Sequence, residues 1–61
     1  MKLRAYLDSF KPAKKPVEFA VEAGISQGTV YKWLEGNRKP WPIMRKHIEQ
    51  VTKGKVTIND W

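Results

Sequence analysis

Ser26, Gln27, Gly28, Tyr31 and Lys32 are the residues in this chain best suited to chemistry, all within PVEFAVEAGISQGTVYKWLE, from Pro16 to Glu35. None belongs to a nucleophile–base pair or a metal-ligand pattern. What they share is hydrogen-bonding capacity along one side of a short segment. A glutamine amide presents a donor beside an acceptor, the pair that matches adenine N6 and N7, and a lysine ammonium donates to guanine O6 and N7 or to a phosphate. The Tyr31 ring suits a thymine methyl and its hydroxyl a phosphate. Gly28 offers no side chain, only close approach of backbone. The expected base readers are therefore Gln27 and Lys32, with Ser26, Gly28 and Tyr31 entering the same groove. Glu35, one turn further, accepts from cytosine N4, stays solvated or pairs with Lys32. Lys14 and Lys15 upstream, Arg38 and Lys39 downstream, and Thr29 within the segment are expected at phosphates, which set register rather than sequence preference.

Base readers need a helix held at a fixed angle, and the apolar spacing supplies one. Two amphipathic segments meet at Ala23-Gly24-Ile25. Pro16 suits a first helical turn, where its missing N–H costs nothing. Gly24 falls just past the end of that helix, where a left-handed backbone is favoured. Ser26 then caps the next helix by accepting from the N–H of Gly28 or Thr29, and Gly36 stops it. Ala20 sits where the two helices approach most closely. Ile25 and Val30 fill the wedge between them, and Phe19, Ala23, Trp33 and Leu34 face the remaining helices. The alternative is a small helical bundle that places glycine and alanine by ordinary packing.

Elsewhere, Leu3, Tyr6, Leu7 and Phe10 follow the i, i+3, i+4, i+7 rule and predict a helix over about 2–9. The bihelical unit spans about 16–23 and 26–35. Ile43, Met44, His47, Ile48 and Val51 predict a fourth helix over about 42–53, opened by Pro42 and ended by Gly54. Between two prolines, Trp41 is expected to plug the third and fourth helices. Val17 and Val21 give the second helix an extra apolar face, to be covered by the first helix, the fourth or another subunit. The tail 55–61 alternates like a strand at Lys55 to Ile58 but also reads as a capped turn at Thr57 to Asp60. The turn is preferred because a lone strand has no partner. Trp61 is expected to pack back within the chain, on the first helix, with insertion into a second subunit or a disordered end as the alternatives. The result is one all-α domain over 1–61 with four to five helices.

Twelve Lys and Arg against six Asp and Glu give a net charge of +6 on 61 residues, a field that draws polyanions. Residues 36–55 carry Arg38, Lys39, Arg45, Lys46, Lys53 and Lys55 against Glu49 alone. There is no cysteine, so no disulfide or thiolate metal site is available. No apolar run approaches the roughly 20 residues of a membrane span, and no signal peptide is evident, which favours the cytoplasm. His47 stands alone and reads as structural. Ser9, Ser26 and His47 have no motif that fixes a nucleophile, and no glycine-rich phosphate loop occurs. Enzymatic activity, a metal, a cofactor and a small-molecule substrate are not expected.

Over about residues 2–53, and most specifically over Pro16 to Gly36, the chain resembles the phage Cro and repressor superfamily, the lambda-repressor-like helix-turn-helix proteins. Its end, Ile48 to Thr57, is similar to the all-helical Cro-like proteins and the YdaS-like group. The resemblance implies a transcriptional regulator in a bacterial host cell, binding double-stranded operator DNA as a homodimer through the start of the third helix. That carries over to Ser26, Gln27, Gly28, Tyr31 and Lys32. Two departures stand out. Pro16 takes a place where relatives often carry a polar phosphate-contacting residue, and Gly28 lacks the side chain many relatives use for base readout. An antitoxin-like autoregulator, an excisionase-type factor and a protein-interaction module built on the same fold remain as alternatives.

Overall fold

Four α-helices and no strand make up the chain, and a computed structural model describes all 61 residues. The first helix, α1 (Leu3–Asp8), buries Leu3, Tyr6 and Leu7 on one stripe. It stops two residues short of Phe10 because the Ser9 hydroxyl donates to the Tyr6 carbonyl at 2.6 Å. Phe10 therefore leaves the helical stripe and stacks edge-on against Tyr6, with ring centroids 5.2 Å apart. The connection to the next helix is drawn back by a hydrogen bond from the Lys14 N–H to the Leu7 carbonyl.

The second helix, α2 (Pro16–Ala23), begins with Pro16 in its first turn and buries Phe19, Ala20 and Ala23. At its end, the Ile25 N–H donates to the Ala20 carbonyl at 3.0 Å and the Gly24 N–H to the Val21 carbonyl at 3.2 Å. Together these bonds form a Schellman ending, which needs a left-handed residue. Gly24 provides it at φ +73°, where a side chain would be penalised. Ser26 caps the third helix, α3 (Gln27–Glu35), by accepting from the Thr29 N–H at 3.3 Å. The link between the two helices is thus only Gly24-Ile25-Ser26. Val30 and Trp33 turn inward from α3, and Ile25 and Leu34 pack against the same core.

The fourth helix, α4 (Pro42–Val51), departs from the expected stripe. Ile48 is fully buried and Met44 and Val51 half-buried, but Ile43 is 82% exposed. Only the Met44–Ile48–Val51 edge of the apolar arc meets the core. The expected plug, Trp41, is 79% exposed, and Pro40 is buried in its place. The Arg45 side chain holds that turn by donating from Nε to the Pro40 carbonyl at 2.9 Å. His47 lies at the surface, yet its Nε2 reaches the Ala23 carbonyl at 2.8 Å and ties α4 to the end of α2.

The helix ends at Val51 rather than at 53, and the Gly54 N–H returns to the Glu49 carbonyl at 2.8 Å. Thr52, just past the end, serves the tail. Its Oγ1 donates to the Ile48 carbonyl at 2.9 Å and accepts from the Val56 N–H at 3.0 Å. Lys53 (φ +56°) takes the left-handed position after the helix, one residue before the expected Gly54. Val56 is fully buried. The tail is a turn: Asp60 Oδ2 accepts from the Thr57 N–H at 2.8 Å, and the Asp60 N–H returns to the Thr57 carbonyl at 3.1 Å. The Met1 ammonium donates to Asp60 at 2.9 Å and also to the Lys55 carbonyl, closing the two ends on each other. Trp61 packs within the chain, but its main aromatic partner is Trp33 on α3, edge-on at 5.4 Å. Of the extra apolar face of α2, Val21 stays 77% exposed and Val17 39%.

Candidate nucleic-acid interface

A fixed α2–turn–α3 pair leaves one side of α3 open. Gln27, Gly28, Tyr31, Lys32 and Glu35 are all exposed, opposite Val30 and Trp33. At 100° per residue these five fall on one arc, so the expected readers share a single face. Tyr31 is 44% exposed, its hydroxyl without an intramolecular partner. Gln27 and Lys32 are likewise free of intramolecular side-chain hydrogen bonds. Glu35 accepts from Asn37 Nδ2 at 2.9 Å, so its partner is Asn37 rather than Lys32.

Ser26 and Thr29 are less free. Their hydroxyls share a hydrogen bond at 2.8 Å while Ser26 Oγ also accepts the Thr29 N–H. One hydroxyl proton of the pair remains available to donate to an anion, the other being held between the two oxygens. Thr29 is half-buried and lies at the flank of the open face. Gly28 stands in ordinary helical conformation, and a Cβ built on it meets nothing within 4 Å. Neither backbone geometry nor internal packing requires glycine here.

The two cationic flanks differ. Lys14 is only 15% exposed; its ammonium pairs with Glu22 at 2.8 Å and sits 4.1 Å from the centre of the Phe10 ring. Lys14 is thus engaged by Glu22 within the chain, and a phosphate would have to compete with that pair. Lys15 is exposed, but Glu18 Oε1 accepts its backbone N–H at 2.9 Å, so the N-terminus of α2 already faces a carboxylate. Arg38 and Lys39, by contrast, are exposed and take part in no ion pair.

Sequence reasoning missed two features of that second flank. Lys2 and Arg4 on the first turn of the chain converge with Arg38 and Lys39 on one groove, beside Trp33 and Trp61. The single acid there, Asp60, is held by the Met1 ammonium, which lowers its carboxyl from 3.8 to about 2, with help from the Thr57 N–H. This meeting of the N-terminus with the α3–α4 loop has no local sequence signal. The second feature is the exposed Trp41. It borders a groove shared with Thr29, Arg38 and Lys39, although an indole between two prolines reads as core.

No group of three or more His, Cys, Asp or Glu residues comes together in a way that could hold a metal ion. No helix is long and apolar enough to cross a membrane. No protein family, curated protein or solved structure matches this chain.

Proposed function

We propose that the chain is a sequence-specific double-stranded DNA-binding regulator that places α3 in the major groove. The observation that carries this reading is the open face of α3. Gln27, Gly28, Tyr31 and Lys32 are free and exposed on a helix that is anchored at both ends and flanked by the unpaired cations Arg38 and Lys39. A recognition helix meets bases with its N-terminal residues, and Gln27 and Gly28 are in the first turn. Gly28 supports the reading independently. A helical glycine is less favourable than alanine by about 1 kcal/mol, and nothing inside the fold calls for it, whereas close approach to another molecule does.

On this reading Gln27 pairs with adenine, Lys32 with guanine, and Tyr31 with a thymine methyl or a phosphate. Ser26 and Thr29 deliver one hydroxyl to the backbone. Arg38, Lys39 and the exposed Lys15 neutralise phosphates. The biological role is operator occupancy of the Cro type, two copies sitting on half-sites about 34 Å apart. The test is a titration of labelled duplex at several salt concentrations. Log affinity should fall linearly with log salt by about 0.9 for each neutralised phosphate. The same affinity at low and physiological salt would instead favour a protein-interaction module, a reading supported by the exposed Val21 on α2 with the partly exposed Val17 on the same helix.

A further inference from the structure

We infer that Trp41 is a second DNA contact, packing its indole against a deoxyribose of the strand that borders the major groove. The inference rests on the reading of α3 given above. It starts from a residue that the fold displays without using. Trp41 is 79% exposed on a backbone fixed from both sides. Pro40 is buried before it, Pro42 opens α4 after it, and Arg45 donates its Nε to the Pro40 carbonyl and its N–H to the Trp41 carbonyl, each at 2.9 Å. An indole on a fixed backbone has only two side-chain torsions left to order on binding and brings a large apolar area to an interface.

Its surroundings select the partner. Trp41 lines a groove of about 210 Å³ with Thr29, Arg38, Lys39 and Met44, and no acid borders it. Thr29 belongs to the first turn of α3, so this groove opens on the flank of the face that carries Gln27 and Lys32. A strand passing there meets the Thr29 hydroxyl and two cations at its phosphates and the indole at the sugar between them. A second copy of the chain is a poorer occupant. An isologous contact through Trp41 would bring Arg38 and Lys39 of each copy towards the same cations of the other. Bases in a duplex are already stacked, which leaves the deoxyribose as the apolar surface within reach.

A sugar contact carries no charge and no base identity, and that makes it separable from every other contact. Duplex affinity of the intact chain, Trp41→Ala and Trp41→Phe is measured by fluorescence anisotropy across a salt series, on two unrelated duplexes and on single strands. Trp41→Ala should lose about tenfold on both duplexes, as for truncation of an exposed aromatic anchor, with the salt slope unchanged, and Trp41→Phe should recover most of the loss. The exposure of Trp41 keeps the fold out of the comparison, and circular dichroism verifies it. Wild-type affinity in Trp41→Ala overturns the contact and leaves the α3 reading intact. So does a loss confined to single strands, which indicates base stacking, or a loss that tracks a change in self-association by sedimentation. Absence of duplex binding by the intact chain overturns both readings.

Discussion

Lys14-Lys15 and Arg38-Lys39 are two basic pairs of equal formal charge on either side of the same bihelical unit, and the fold treats them oppositely. Lys14 lies half-buried over the Phe10 ring and paired with Glu22, while Glu18 occupies the backbone end beside Lys15. Arg38 and Lys39 stand unpaired, with Lys2 and Arg4 beside them and the nearby Asp60 held by the chain's own ammonium. A count of cations therefore overstates what the protein offers to an anion. Charge near α2 helps to hold α1, its following loop and α2 together. Charge after α3 remains available for a partner.

The largest expected effect breaks this asymmetry directly. Replacing Arg38 and Lys39 together by alanine should lower duplex affinity by roughly 25-fold near physiological salt and reduce the salt slope by about 2, one unit per lost phosphate contact. The matching Lys14→Ala change should leave the slope unaltered. A smaller slope in Lys14→Ala would mean that the Glu22 pair opens on binding. Next in size is Gly28→Ala, whose two effects have opposite signs. Thermal melting should show stabilisation of about 0.5 kcal/mol, because alanine is the better helix former and its Cβ has open space, while duplex affinity falls several-fold. A gain in stability with unchanged affinity would show that nothing approaches the backbone at Gly28.

Glu22→Gln sharpens the comparison from the other side. It releases the Lys14 ammonium, so the salt slope should rise by up to about 1, while a partly exposed ion pair worth no more than about 1 kcal/mol is lost from the fold. The smallest effect concerns Asp60. Its carboxyl lies well below the ordinary carboxylate range because the Met1 ammonium and the Thr57 N–H favour the ionised form. The stability this gives is fully present above about pH 4 and is lost as pH falls through about 2, since protonation must then break the contacts. Melting temperatures of the natural chain and Asp60→Asn should differ at pH 5 and converge by pH 2. An equal difference at both pH values would show that the terminal clamp does not depend on the charge of Asp60.

Much of the bihelical unit is legible in the sequence because its signals are local. Pro16, Gly24, Ser26 and Gly36 each act within a turn of their own position, and all four stand where such residues end or begin helices. The exposed arc of α3 follows from the same periodicity. Features set by distant contacts are not legible. A period of 3.6 gives α4 an apolar arc, but only the position of α2 and the tail decides that Met44, Ile48 and Val51 are covered while Ile43 and Trp41 are not. Val56 enters the core beside Thr52, a buried polar residue whose hydroxyl accepts the Val56 N–H. Lys14 reads as free because its partner, Glu22, lies eight positions away across a loop. The helix boundaries shift by one or two residues for local reasons: the Ser9 side chain takes the Tyr6 carbonyl that another turn of α1 would have used, and Lys53 turns left-handed so that the Lys53 and Gly54 N–H groups return to the Gln50 and Glu49 carbonyls.

The reading of α3 depends above all on whether the chain distinguishes one duplex from another. Selection of bound duplexes from a random pool, followed by sequencing, tests this most directly. The account predicts a short enriched motif containing an adenine whose preference is relaxed in Gln27→Ala and untouched in Lys39→Ala. A folded chain that binds duplex yet enriches no motif would contradict base reading by Gln27 and Lys32.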